Sequence, residues 1–485
     1  MKIFKKIAIY YLISALLISS AVSSAPRASA APELTLNCGA AVLADMDTGT
    51  VLYSVNPDAK MYPASLTKIM TAIVALEACQ NGKVSFSDNV TCSPNLYSDI
   101  DEDASTLNLA VGEILSFEDL MYCVVLRSAS EPCNAVAEHV SGSISAFVEE
   151  MNDMAASLGC TGTHFSNTHG LPDSNNYSTA RDLMLIMRKA MSMPMFAKLT
   201  ATEEYTLPAT NMSEERPPLK NTNNLIREKS TYYYEYAKGG KTGYTEAAGF
   251  CLASAAQKGD VRLVSVVLKT NSVVLSDGTT QVQSFSETKR LFQWGFANFS
   301  YRTVLSTMRI VREVDVELGN GANKVALRPA EPIILLIDNS ADLSKVEYTV
   351  RLNIPDGEKL TAPITAGEEL GEADVIVNGV SYGTVKLVAN YSVELDKAKF
   401  ISSQIQNTLK TGVVRFIIIA LILMFVLYIA FIIYYNVRRQ KKKKAANELA
   451  RQKIEAIRAK EALTTGLTFE EIEKKQELTG RYRRR

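Results

Sequence analysis

Ser65 and Lys68, in the stretch "YPASLTKIMTAIVALE" (62–77), are the first residues whose types and spacing suggest chemistry. A helix brings positions three apart onto one face, so this hydroxyl and this amine can meet. Serine is a weak nucleophile until a neighbouring base removes its proton, and an amine one turn away can be that base. As a helix the stretch is ordinary: Pro63 lies just ahead, and Ile69, Ile73 and Leu76 recur at helical spacing. A four-residue S-x-x-K pattern arises by chance in many chains, and a plain core helix is the competing reading.

Two further stretches supply partners for the pair. "RSASEPCNAVAEHV" places Ser128 at the end of one helix and just before another, and "AKGGKTGYTEAAGF" places Lys241-Thr242-Gly243 at the start of a strand. S-x-x-K, S-D-N and K-T-G in that order form the signature of class A β-lactamases and penicillin-binding proteins. Here the middle element reads Ser128-Ala129-Ser130. A serine hydroxyl is shorter than an asparagine amide and lacks its planar donor and acceptor pair. Ser130 has a second reading as the cap of the helix that begins "EPCNAVAEHV". Only three histidines occur (His139, His164, His169), with no H-E-x-x-H, so neither a metal site nor a cofactor is expected. Seven cysteines without a C-x-x-C pair read better as small apolar side chains than as a disulfide framework.

The elements that must position these residues follow from periodicity. "GAAVLADMDTGTVLYSVN" alternates around a D-T-G turn and reads as a β-hairpin. "SFEDLMYCVVLR" opens with a capping box at Ser116 and Asp119 and continues as an apolar helix. "ISAFVEEMNDMAASLG" is a helix closed by Gly159, and "ARDLMLIMRKAM" is another. "GFCLASAAQKGDVRLVSVVLK" reads as two buried strands joined at a Lys-Gly-Asp turn, followed by a helix over about 280–296 that holds Trp294. Hairpin, helices, strands and a last helix predict a sheet covered by helices, in the α/β or α+β class. Beyond about residue 300 the pattern becomes short alternating strands, a small all-β domain.

The two ends differ from everything between them. "MKIFKKIAIYYLISALLISS" with "ASA" at 28–30 reads as a secretory signal peptide over 1–30. Val413 to Tyr435 is long and apolar enough for a membrane span, and "RRQKKKK" follows at once, which marks the cytoplasmic side. The predicted organisation is therefore 34–299 catalytic, 300–397 β-rich, 398–412 a polar connector, 413–435 the transmembrane helix and 436–485 a basic tail. A formal net charge of zero conceals segregation: the tail and the signal peptide are basic, so the segment between them is strongly acidic. That excludes a nucleic-acid-binding ectodomain, which needs a basic face. The tail charge suits topology and contact with anionic lipid.

The stretches "MYPASLTKIMTAIVALE", "SNTHGLPDSNNYSTARDL" and "GGKTGYTEAAGFCLASA" resemble the low-molecular-mass penicillin-binding proteins that are D-alanyl-D-alanine carboxypeptidases, serine peptidase family S11. The resemblance covers about 34–300, and the β-rich part resembles that family's second domain more loosely. It implies a β-lactamase-like transpeptidase domain that trims the peptidoglycan stem peptide and is acylated by β-lactams. Ser65 would be the nucleophile, Lys68 the base, and Ser128 the proton relay. Lys241 and Thr242 would hold the substrate carboxylate, Gly243 would let the substrate approach, and the N–H groups of Ser65 and Tyr244 would hold the oxyanion. Ser130 would face Lys68 and the substrate amide, so turnover weakened relative to an Asn enzyme is expected. Two other readings are a non-catalytic wall-binding scaffold on the same fold, and a β-lactamase. The second domain, the anchor and the missing E-x-x-L-N disfavour the β-lactamase.

Overall fold

The computed structural model describes residues 33–475 except 103, 277, 356, 357, 378, 379, 469 and 473. The expected signal peptide lies outside those residues. The hairpin reading corresponds to β1 (Ala40–Asp45) and β2 (Val51–Val55), antiparallel. Three more strands complete an antiparallel sheet: β3 (Ala237–Thr245), β4 (Gly249–Lys258) and β5 (Val261–Thr270), in the order β2-β1-β5-β4-β3. Strand β3 is therefore an edge. The expectation that Lys241 opens a strand is corrected: the strand begins at Ala237 and runs through Gly239-Gly240 before it reaches Lys241.

Helices cover this sheet. Behind the Ser65 turn runs α1 (Thr67–Gln80), and its neighbours are α2 (Phe117–Tyr122), α3 (Glu131–Ser141), α4 (Ile144–Ser157), α5 (Ala180–Met191), α6 (Pro194–Ala201) and α7 (Gln283–Asn298). Helix α1 is buried almost all round, which explains why its sequence shows little amphipathic contrast. One core lies between it, the sheet and α2 to α6, and a second packs Leu43, Leu252 and Val267 under Leu291 and Phe292 of α7. Ser116 caps α2 as expected: its hydroxyl accepts from Asp119 N at 3.0 Å, while the Asp119 carboxylate closes the pair by accepting from that hydroxyl at 2.5 Å. All seven cysteines are free thiols, five of them buried.

The chain divides into two compact units. The first holds the sheet and its helices and also Phe299–Leu305 paired with Ile333–Asp338, and Glu347–Leu352, Glu369–Val377 and Val380–Ala389 as an antiparallel meander. The second holds Val316–Glu317 parallel to Leu360–Thr361 and the chain from Tyr391 onward. There the expected polar connector is corrected to a helix, Lys397–Lys410, because the Asp396 side chain caps it by accepting from the N–H groups of Ala398 and Lys399. Gly412–Thr465 is a second helix, and its first part is long and apolar enough to cross a membrane.

Candidate active site

Ser65 sits in a single 3-10 turn, Ala64–Leu66, that leads straight into α1. Ala64 takes a positive φ of 50°, which turns the chain sharply just before the serine. The next turn brings Lys68 beneath it: the Lys68 amine donates to Ser65 Oγ at 3.1 Å, to Ser130 Oγ at 3.4 Å and to the carbonyl of His169 at 2.7 Å. Lys68 is only 1% exposed. Burial pushes its pKa down, and Cys133 and Glu131 push partly back.

Ser128 is the left-handed residue, φ 62°, that ends the single π-helical turn Cys123–Arg127 ahead of α3. Its hydroxyl accepts from the Lys241 amine at 2.7 Å. Lys241 donates also to the carbonyl of Thr242 at 2.9 Å and is likewise 1% exposed. Burial and then the Lys68 charge drive the Lys241 pKa well below its ordinary value. Thr242 donates to the Thr222 hydroxyl at 2.7 Å.

Ser130 stands at the N-cap position of α3, but its side chain makes no capping hydrogen bond. Its hydroxyl faces Lys68, and its N–H donates to the carbonyl of Ser105 at 2.8 Å. The helix-cap reading of Ser130 therefore fails. Glu131, fully buried, takes over the local anchoring, with Oε1 accepting from Leu107 N at 2.6 Å and Leu109 N at 3.5 Å. Burial raises its pKa.

Gly243 has a more specific role than open access for a substrate. A Cβ there would lie 3.0 Å from the Pro63 carbonyl oxygen, 3.2 Å from Ala64 Cβ and 3.3 Å from Ser65 N, so glycine lets β3 close on the Ser65 turn. Gly170, at φ +87°, is required more strongly, because a Cβ would sit inside the Ala64 carbonyl. Sequence reading missed this second contact and the His169 carbonyl, although "THGL" marks the loop that provides both. The His169 ring is buried, and burial together with Lys68 lowers its pKa to about 3, so it is a neutral structural group. Tyr244, 57% exposed, lays its ring against Phe250, with centroids 4.3 Å apart.

These parts meet at a cleft of about 840 Å³ whose lining includes Ser65, Ser130, Tyr244, Ser105, Asp101 and Glu246. Among the described residues no group of three or more His, Cys, Asp or Glu side chains could hold a metal ion. The arrangement suits acyl transfer: one serine hydroxyl lies on a buried amine, and a second serine hydroxyl lies on another.

Comparisons with known proteins agree with that chemistry. The family model for D-alanyl-D-alanine carboxypeptidase matches residues 25–272, and that for the penicillin-binding protein 5 C-terminal domain matches 299–395. D-alanyl-D-alanine carboxypeptidase DacF of Bacillus subtilis is 30% identical over 339 residues, 70% of this chain and 81% of the relative. DacA of Haemophilus influenzae is 31% identical over 348 residues, 71% and 82% of the two chains. The crystal structure of penicillin-binding protein 5 from Haemophilus influenzae covers 75% of this chain and 99% of its own, with 30% identity and a TM-score of 0.58.

Proposed function

Because this chain belongs to the D-alanyl-D-alanine carboxypeptidase family, we propose how its residues divide the catalytic work. The protein is a serine-type D-Ala-D-Ala carboxypeptidase and a penicillin-binding protein. Neutral Lys68 takes the proton of Ser65 as the serine oxygen attacks the carbonyl between the last two D-alanines of a stem pentapeptide. The oxyanion is held by the N–H groups of Ser65 and Tyr244. The proton taken from Ser65 passes from Lys68 through the Ser128 hydroxyl to the departing D-alanine amine, which leaves an ester on Ser65 and Lys68 neutral again. Lys68 then takes a proton from the water that hydrolyses the ester and returns it to Ser65 Oγ. A β-lactam enters the same path and stops at the ester.

Lys241 and Thr242 receive the substrate's terminal carboxylate. Burial disfavours the Lys241 cation, and the arriving carboxylate supplies a counter-charge that favours it. The observation that carries the reading is the 3.1 Å contact from the buried Lys68 amine to Ser65 Oγ. The test is labelling of the full-length protein with a fluorescent penicillin and D-alanine release from a pentapeptide. Both should disappear in Ser65→Ala, and labelling that persists rejects the nucleophile. A wall-binding scaffold is the second reading, favoured only by serine at position 130; labelling without D-alanine release would support it.

For the rest of the chain we propose export by the segment 1–30, a catalytic domain over 34–299 and a β-rich domain over 300–397. The apolar part of the C-terminal helix, 413–435, anchors the protein in lipid. Arg438 to Lys444 keep the tail 436–485 in the cytoplasm and the catalytic domain outside.

A further inference from the structure

Asn134 lies one turn beyond Ser130 on α3, 1% exposed, in a helix interior that gives asparagine no local advantage. Burial of an amide costs free energy unless its donors and acceptor are used. Here they are. Asn134 Nδ2 donates to the carbonyls of Leu96 at 3.2 Å and Ser98 at 3.0 Å, just before the segment whose Asp101, Ala104 and Ser105 line the cleft. Asn134 Oδ1 accepts from Thr168 Oγ1 at 2.7 Å. Thr168 is fully buried, and its carbonyl accepts from Thr71 of α1 at 2.5 Å. The following residue, His169, presents the carbonyl that takes the shortest hydrogen bond from Lys68. Asn167 Oδ1 ties the loop further by accepting from Gly170 N at 2.6 Å.

We propose that Asn134 is a positioning residue for the base: through Thr168 it fixes the His169 carbonyl that holds Lys68, and through Leu96 and Ser98 it ties that carbonyl to the wall of the cleft. The inference rests on the reading of Lys68 as the base. A carbonyl acceptor favours the protonated amine, so loosening it lowers the proton affinity of Lys68 and moves the amine off the Ser65 oxygen. The other titratable groups around Lys68 are Glu131 and Cys133 from α3, Lys241 from β3 and His169 from the loop, and none of them bonds to Asn134. A shift caused by Asn134 therefore reports the loop and not a new charge.

The test is the pH profile of penicillin acylation for the full chain in wild type, Asn134→Ala, Thr168→Val, Thr168→Ser and the Asn134→Ala/Thr168→Val double variant. Thr168→Val has the shape of threonine without the hydroxyl, so it keeps the test open if Asn134→Ala fails to fold. The expected result is a fall in the plateau rate of about tenfold or more in Asn134→Ala and in Thr168→Val, with the acid limb displaced to lower pH. Thr168→Ser should recover most of the rate, and the double variant should be little worse than either single one. A lowered melting temperature with an unmoved acid limb and an unchanged rate per folded molecule would overturn the proposal, as would full additivity. Lys68→Ala separates the two readings. If it still acylates, the base assignment itself falls; if it does not, and the Asn134 and Thr168 profiles match wild type, only the positioning role falls.

Discussion

Behind a cleft lined by Ser65, Ser130 and Tyr244 lie two buried lysines, one on the helix α1 and one on the strand β3, in different surroundings. On the helix, Lys68 is surrounded by two hydroxyls and a carbonyl, with Glu131 close enough to support its charge only partly. On the strand, Lys241 has one hydroxyl and one carbonyl, and Lys68 adds to the burial that already opposes its charge. The first arrangement suits an amine that must lose and regain a proton. The second suits a site that is incomplete until an anion arrives, since a buried cation without a counter-charge is costly. The two lysines differ in their neighbours, and the roles proposed for them, base and anion receptor, follow that difference.

This contrast can be broken or sharpened by substitution. Lys68→Met should lower acylation by about 10³- to 10⁴-fold, as expected for a lost general base, while leaving affinity for a D-alanine-terminated product within about threefold. Comparable losses of rate and affinity would merge the two roles. Lys241→Gln should do the reverse, lowering kcat/KM for pentapeptide by about 10- to 100-fold, mainly through KM, by removing a hydrogen bond to a charged group. A matching collapse of thermal stability would make Lys241 a structural residue instead.

Ser130→Asn sharpens the helical side. The Lys68–Ser130 contact is long, 3.4 Å, and an asparagine amide reaches further and holds both base and substrate. Its kcat/KM is expected to rise by up to about tenfold, and steady-state D-alanine release at equal folded concentration checks it. A neutral or harmful result would mean the site is already packed for serine.

The smallest effect is on stability against pH. A lysine whose folded pKa is depressed leaves the unfolded chain holding more protons between the folded value and 10.5, so stability rises with pH through that window. Lys241→Met removes that contribution, and its urea-midpoint stability should rise less steeply with pH above neutrality than that of wild type. Identical slopes would show that Lys241 is not depressed in the folded state.

Much of this was legible in the sequence because it is local. The serine–lysine pair needs only one helical turn, the cap at Ser116 needs four residues, and the Lys-Gly-Asp turn separates two obvious strands. What stayed hidden depends on distant backbone. The His169 carbonyl reaches Lys68 across a separation of 101 residues, and nothing in a carbonyl's own side chain signals that contact. Gly243 reads as a glycine that lets a substrate approach, and Gly170 carries no signal of its own, until Pro63 and Ala64 are placed against them. Ser130 was ambiguous because N-cap position and active-site position coincide at the start of α3, and only the direction of its hydroxyl separates them. The helix at Lys397–Lys410 was read as a connector because its polar face dominates its composition, whereas Asp396 supplies the start signal.

In the proposed mechanism Ser65, activated by Lys68, becomes the acyl carrier. The most direct test is to trap the protein with penicillin, digest it with trypsin and map the adduct by mass spectrometry. A penicilloyl group on Ser65, in the peptide 61–68 of the wild type, absent from Ser65→Ala and strongly reduced in the corresponding peptide 61–83 of Lys68→Met, is the result expected. An adduct on Ser128 or Ser130, or one that forms at the wild-type rate without Lys68, would contradict the account.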